Sequence, residues 1–421
     1  MPELTHRLAD AQLLLVDASG SPLERSSVTV EQTRHAFGFG NIGFDFVDWL
    51  GGPPRSGDGR ASEILGGDAP PQPEALADAW LTLFNTVTLV FYWRGFEPVR
   101  GQPETTRLLR TAEWFKAHDV TVKGHPLLWH TLAPEWLLGL DDAEVEAVIR
   151  NRIRREVTAF TGAVDQWDAI NEAVILPVFT AEENAVTRLA QRKGRIAMIQ
   201  LAFEEARAAN PGSRLVLNDF DLSEDYERLI EECLAAGIRI DALGLQTHMH
   251  QGYRGEERVW NVLERFSRFG LPLQLTETTL LSGELMPREI VDLNDYVVES
   301  WPSTPEGEVR QADEIVRHYR NVVAHPAVES LTYWGITDHG AWLGAPAGLL
   351  RRDGTRKPAY DALRALIRDE WWYPRTQLRT DAAGGVTVHG FAGSYRISTP
   401  YGTEEVELSP GRTVSTVIVG A

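Results

Sequence analysis

The chain has 421 residues, 43% hydrophobic and 24% charged, which is more than one small core organises and enough apolar material to fold throughout. Its 60 acidic against 41 basic residues leave a formal charge of −19, which opposes the counterion release that nucleic-acid binding needs and disfavours an anionic membrane as partner. The single cysteine, Cys233, permits no internal disulfide and reads as a small core residue of the helical stretch ERLIEECLAAG.

The N-terminus, MPELTHRLADAQLLLVD, lacks the basic and apolar regions of an export signal, and no run of about 18 uncharged apolar residues occurs in the chain. As given, the chain reads as cytoplasmic, or as secreted with its signal removed, and not as membrane-spanning. Within residues 1–34, LLLV and SVTV flank the turn ASGSP and predict an N-terminal β-hairpin appendage.

From 35 to 372, eight β-type runs alternate with helical-period stretches. They cover 35–43, 83–91, 120–129, 164–173, 213–220, 241–248, 271–278 and 329–338. Eight strand-helix repeats predict an α/β fold, a closed (β/α)8 TIM barrel. The Gly/Pro-rich segment 51–73 follows the first strand, where barrel loops line the active face, and reads as a mobile loop. After the last helix, residues 373–421 alternate as VTVHGF, SYRI, EEVEL and TVSTVIV around turns, a small C-terminal β domain. Neither appendage has the size for a core of its own, so the two are expected to pack on each other or on the barrel.

Most of the eight runs begin apolar and finish in residues able to do chemistry: Asn41, His125, Asn171 with Glu172, Asn218 with Asp219, Gln246 with His248, Glu277, and Trp334 with Asp338. Barrel enzymes work at those C-terminal strand ends, and a buried strand has no structural need for a carboxylate. Glu172 in WDAINEA and Glu277 in LQLTET form the pair that glycosidic cleavage requires, one acid for the leaving oxygen and one carboxylate for the anomeric carbon or a water. Trp129, Trp136, Trp334 and Trp342 supply flat faces suited to sugar rings. Two alternatives stand beside this reading. One is a metal-dependent hydrolase using His248 and His250 with Asp219, Asp221 and Glu277; the other is a catalytically silent carbohydrate-binding barrel.

The motifs GHPLLWH followed by PEW, WDAINEA, LVLNDFD, DALGLQTHMH, LQLTET, and TYWGITDHGAW with RKPAY occur in order. Over residues 35–370 the chain resembles glycoside hydrolase family 10, retaining endo-β-1,4-xylanases on a (β/α)8 barrel. The resemblance implies a carbohydrate substrate, no cofactor and no metal. It makes Glu172 the acid/base catalyst and Glu277 the nucleophile. Asn171 would bond the sugar 2-hydroxyl, and His125 and Gln246 would hold the sugar in the reacting subsite. Trp129, Trp334 and Trp342 would wall that subsite, and His248 would hydrogen-bond the nucleophile. After FNTVT the family has a Glu-Asn pair and then Met-Lys-Trp, whereas this chain reads LVFYW, about two residues shorter, with Tyr92 in place of the lysine. The polar grip on a second glycone sugar is thus largely replaced by apolar side chains. Short, decorated or aryl-linked β-glycosides are expected to suit the cleft better than long xylan, with Tyr92 and Phe91 offering ring faces. Segment 281–309 is expected to reshape the cleft as well.

Overall fold

The computed structural model describes residues 4–52 and 72–420, so residues 53–71 of the segment 51–73 read as a loop lie outside the described residues. Strands β1 (Leu8–Val16) and β2 (Ser27–His35) precede the eight predicted runs. Those runs form β3 (Gly38–Ile42), β4 (Thr86–Val90), β5 (Thr121–His125), β6 (Gln166–Asn171), β7 (Arg214–Asp219), β8 (Ala242–His248), β9 (Leu273–Thr279) and β10 (Val328–Tyr333). All are parallel to their neighbours and close as a barrel in the order β10-β3-β4-β5-β6-β7-β8-β9. Every residue of TVTLV in β4 and QWDAIN in β6 is buried, as expected where helices cover one face and barrel side chains the other.

The covering helices form where sequence caps and spacing agree. In Asp142–Ala159 a capping box starts the helix, with Glu144 N–H donating to Asp141 Oδ1 at 2.9 Å and Asp141 N–H to Glu144 Oε2 at 3.1 Å. Val145, Ile149, Ile153 and Val157 then recur every four residues and are all buried. Among the described residues no helix is long and apolar enough to cross a membrane.

Two register shifts shape the barrel mouth. Between Asp168 and Ile170 the β6–β7 ladder slips, bringing Asn171 opposite Asn218, and between Leu245 and Gln246 the β8–β9 ladder slips, bringing Gln246 opposite Glu277. Such irregularities re-aim side chains, and here they do so at the C-terminal strand ends.

The appendages combine, with a correction to the hairpin reading. Strands β11 (Thr376–Arg379), β12 (Gly385–Phe391), β13 (Gly393–Thr399), β14 (Gly402–Leu408) and β15 (Gly411–Ile418) join β1 and β2 in two sheets, ordered β12-β1-β15 and β11-β2-β13-β14. Thus β1 and β2 lie in different sheets; what closes the turn after β1 is the bridge Val16 to Pro22 and Leu23 N–H donating to the Leu15 carbonyl at 2.9 Å. The physical reason is amphipathicity. Leu13 and Leu15 of β1 and Val28 and Val30 of β2 meet face to face with Val388, Tyr395, Ile397 and Leu408, a core distinct from that of the barrel. The module sits under the N-terminal barrel face, where the Arg7 guanidinium donates to the carbonyls of Val323 (3.0 Å), His325 (2.8 Å) and Val328 (2.5 Å). On the opposite face, Leu281, Met286 and Trp301 pack on Ala345 and Ala347, so the segment after β9 is folded against the loop after β10.

Candidate active site

Asn171 ends β6, and the next residue, Glu172, takes a left-handed backbone with φ of 55°. Non-glycine residues seldom adopt that conformation, and it turns the chain sharply at the barrel mouth. The Glu172 N–H is retained by the Asn218 carbonyl at 2.9 Å. From the carboxyl of Glu172, a continuous amide chain runs to that of Glu277. Gln246 Nε2 donates to Glu172 Oε1 (3.2 Å) and Asn171 Oδ1 (3.1 Å), and Asn218 Nδ2 donates to Asn171 Oδ1 (2.7 Å) and Glu277 Oε1 (3.0 Å). Thr276 Oγ1 donates to Asn218 Oδ1 at 2.6 Å, which fixes the orientation of that amide. Gly244 makes room for it, because a Cβ there would lie 2.3 Å from Asn218 Oδ1.

The second oxygen of Glu277 meets His248 Nε2 at 3.2 Å, and His125 Nε2 lies 3.9 Å from the first. Behind His125, its Nδ1 contacts Asp168 Oδ2 at 2.7 Å, and Lys123 Nζ lies 2.7 Å from Asp168 Oδ1. Burial would raise the Asp168 carboxyl, but the Lys123 ammonium and the His125 ring hold it below its ordinary value. Lys123 and Asp168 are thus a paired charge in the barrel interior that orients His125.

Glu172 is placed differently. Burial, and then the negative charge of Glu277, push its carboxyl up to about 8, against the donors Trp129 Nε1 (2.8 Å to Oε2) and Gln246. Asp219, also buried, is pushed up to about 7 even though the Val174 and Asp221 N–H groups each donate to it at 3.0 Å. Near neutral pH the site therefore holds a protonated Glu172 beside a second carboxyl that accepts from the Asn218 amide.

Aromatic rings wall the mouth. Tyr92 lies 5.3 Å from Trp129 and 5.8 Å from His125, Phe44 lies 5.9 Å from Tyr92 and 5.5 Å from Trp334, and Trp334 lies 5.4 Å from His125, all between ring centroids. Trp342, 36% exposed, stands 4.8 Å from His248. Of the residues expected at the site, the structure brings together His125, Trp129, Asn171, Glu172, Gln246, His248, Glu277, Trp334 and Trp342. Others it sends elsewhere. Phe91, expected to offer a ring face, points away from Tyr92 into the core against Phe160 and Trp167 at 4.9 and 4.8 Å. Trp136 packs on Trp93 at 5.9 Å and donates to the Glu97 carbonyl, and Asp338 pairs with buried Lys357 at 2.7 Å to clamp the loop after β10.

The donors give the metal alternative no support. Asp219 and Asp221 accept loop backbone N–H groups, His248 faces Glu277, and His250 turns to Thr279. Among the described residues no group of three or more His, Cys, Asp or Glu could hold a metal ion. Sequence reasoning missed Phe44, Asp168, Thr276 and Thr279. Only Asp168 carried a signal, as an acid in the middle of a strand otherwise buried on both faces.

Comparison with known proteins agrees with this geometry. Residues 77–366 match the model of glycosyl hydrolase family 10. Endo-1,4-beta-xylanase A of Xylanibacter ruminicola is 30% identical over 269 residues, covering 57% of this chain and 68% of that protein. The anti-sigma-I factor RsgI6 of Acetivibrio thermocellus is 24% identical over 407 residues, 93% of this chain but 45% of its own length. The chain thus spans less than half of that relative. Xylanase 10B from Thermotoga petrophila RKU-1, solved in complex with xylobiose, superposes with a TM-score of 0.58 at 22% identity over 79% of this chain and 94% of that one, and shares the fold. By its barrel, its mouth residues and the matched family model, the chain belongs to glycosyl hydrolase family 10.

Proposed function

We propose that the protein is a retaining glycoside hydrolase acting on β-linked xylan-type glycosides, with Glu172 as acid/base and Glu277 as nucleophile. The carrying observation is the asymmetry between two carboxyls in one site. Burial and a neighbouring charge keep Glu172 protonated near neutral pH, while Glu277 accepts from Asn218 Nδ2 at one oxygen and meets His248 Nε2 with the other.

The chemistry follows from those positions. A Glu277 carboxylate oxygen attacks the anomeric carbon as the Glu172 proton passes to the leaving oxygen, giving a glycosyl ester and a free aglycone alcohol. Glu172, now ionised, takes a proton from water, whose oxygen displaces Glu277 from the same face that the aglycone left. Two inversions give retention. Asn171, whose Oδ1 accepts from both Gln246 and Asn218, stands between the carboxyls where a 2-hydroxyl would lie.

For the glycone side, Phe44 and Tyr92 present rings beside His125 and Trp334. This favours one sugar in the reacting subsite and apolar or short substituents beyond it, in place of a second hydroxyl-bonded xylose. The xylanase names carried by the relatives point to β-1,4-xylosyl bonds as the parent chemistry. Incubation with aryl β-glycosides and xylo-oligosaccharides, with the first-formed anomer followed by proton NMR, tests the reading. Release of β-configured xylose or xylobiose supports it, and an α-configured first product would defeat the double displacement.

A further inference from the structure

Thr279, the last residue of β9, lies between two imidazoles. Its Oγ1 is 3.4 Å from His248 Nδ1 and 3.4 Å from His250 Nδ1, and it accepts from Met249 N–H at 3.1 Å. The side chain is 1% exposed, and Trp342 covers both rings at 4.8 and 5.1 Å. We propose that Thr279 is a positioning residue that fixes the tautomer of His248, and through it the orientation of Glu277, with His250 as the anchor of the relay. The proposal rests on the reading of Glu277 as the nucleophile.

Counting protons decides between the two possible arrangements. A hydroxyl has one proton to give and two lone pairs, one of which the Met249 N–H occupies. Only one of the two Nδ1 atoms can therefore receive the Thr279 proton, and the other must donate. If Glu277 is to accept at Oε2, His248 must carry its proton on Nε2, which leaves Nδ1 as a bare acceptor for the Thr279 hydroxyl. His250 then donates from Nδ1 to Thr279, and its Nε2 is a bare lone pair. That matches the structure, in which His250 Nε2 is buried without a hydrogen-bond partner among the described residues. The opposite arrangement, with a proton on His248 Nδ1, would put the His250 proton on Nε2, a buried N–H donor with nothing to accept it. Burial pushes His250 down to about 3, so it takes part as a neutral ring. Among the described residues, the other groups facing His248 are Glu277, Trp342, Trp334, and Arg254, which donates to its backbone carbonyl at 3.3 Å. Among the described residues, only Thr279 and Glu277 contact its ring nitrogens. Neither histidine then needs a net charge, and Glu277 is oriented by a donor whose proton stays on Nε2.

The test uses the full chain with histidine ring 15N labels, the His248 signals being assigned with His248→Gln. Near neutral pH the wild type should show His248 as the Nε2–H tautomer. Thr279→Val, nearly isosteric, should show mixed tautomers and a roughly ten- to hundredfold loss in kcat/KM on an aryl β-xyloside, carried by kcat and not KM, and Thr279→Ser should restore both. A wild-type His248 protonated on Nδ1, alone or together with Nε2, would overturn the proposal, as would a Thr279→Val variant with wild-type rate. The tautomer is read without turnover. A chain inactive on every glycoside but showing the Nε2–H tautomer would defeat the nucleophile reading and leave the relay standing.

Discussion

Asn218 donates to Glu277 Oε1 at 3.0 Å while its second amide proton goes to Asn171 Oδ1 at 2.7 Å, so one buried side chain sets the spacing between the two halves of the site. Its own oxygen is held by Thr276, and its space is left by Gly244. Asn218 consequently has a single orientation that satisfies all its groups.

Gly244→Ala should break this arrangement without touching a carboxylate. The added methyl meets Asn218 Oδ1 at 2.3 Å, the amide must turn, and one donor to Glu277 is lost. A fall of roughly a hundredfold in kcat/KM is expected, with a stability loss of about 1–3 kcal/mol from overpacking. Kinetics on an aryl β-xyloside together with a denaturation curve checks it; unchanged activity would mean that Asn218 has no part in orienting the nucleophile.

Replacing the two glutamates should separate their roles. Glu277→Ala is expected to lower turnover by at least about 10⁴-fold, and azide to restore it through the vacated space with an inverted glycosyl azide as product. Glu172→Ala should keep much of its first-step rate on substrates with good leaving groups, where protonation matters least. Identical, unrescued loss with both variants across all leaving groups would remove the division of labour.

The raised carboxyls have a stability signature. Glu172 moves from 4.5 to about 8, and Asp45 and Asp219 from 3.8 to about 7, each chiefly through burial. Between these values the folded chain holds protons that the unfolded chain has released. Stability from these groups is therefore greatest at low pH and declines as pH rises from about 4 towards 8, by up to about 1.4 kcal/mol per pH unit for each proton. Glu172→Gln should flatten the upper part of this decline, which melting temperatures from pH 5 to 8.5 would measure. An unchanged slope would show that Glu172 is ionised in the folded protein at neutral pH. In kinetics, the same protonation predicts an alkaline limb near pH 8 that Glu172→Gln abolishes along with most activity on poor leaving groups.

Much of the fold and site was legible in the residues. Strands β3 to β10 announced themselves because apolar runs ended in polar residues, and a barrel leaves few other uses for Asn171, Glu172, Gln246 and Glu277 in those places. The β1–β2 hairpin failed for the opposite reason. Turn chemistry at ASGSP is local, whereas the true partners of β1, such as Val386 opposite Leu13, are more than 370 residues away and nothing in alternation names them. Phe44, Thr276 and Thr279 became part of the site only through packing. A threonine in a strand looks like ordinary β propensity until two histidines are found on either side of it.

Chain-length dependence tests the glycone wall. With Phe44 and Tyr92 where hydroxyl-bonding groups would be needed, kcat/KM should rise little from xylobiose to xylotetraose, and soluble xylan should be a poorer substrate than an aryl xyloside. Lost hydrogen bonds at about 0.5–1.5 kcal/mol each account for the difference. Tyr92→Ala should lower kcat/KM on the aryl xyloside by roughly three- to tenfold through the lost ring contact. A steep rise with chain length would instead mean that a second sugar grip exists and that Phe44 and Tyr92 do not replace it.

The most direct measurement is covalent trapping. A 2-deoxy-2-fluoro-β-xyloside with a good leaving group should inactivate the protein with one glycosyl unit per chain, since the fluorine slows both steps while the good leaving group speeds only formation of the ester. Peptide mapping by mass spectrometry should then place the label on Glu277, in the peptide containing LQLTET. A label on Glu172 or any other residue, or turnover to an inverted product with no adduct, would contradict the assignment of Glu277 as the nucleophile of a retaining mechanism.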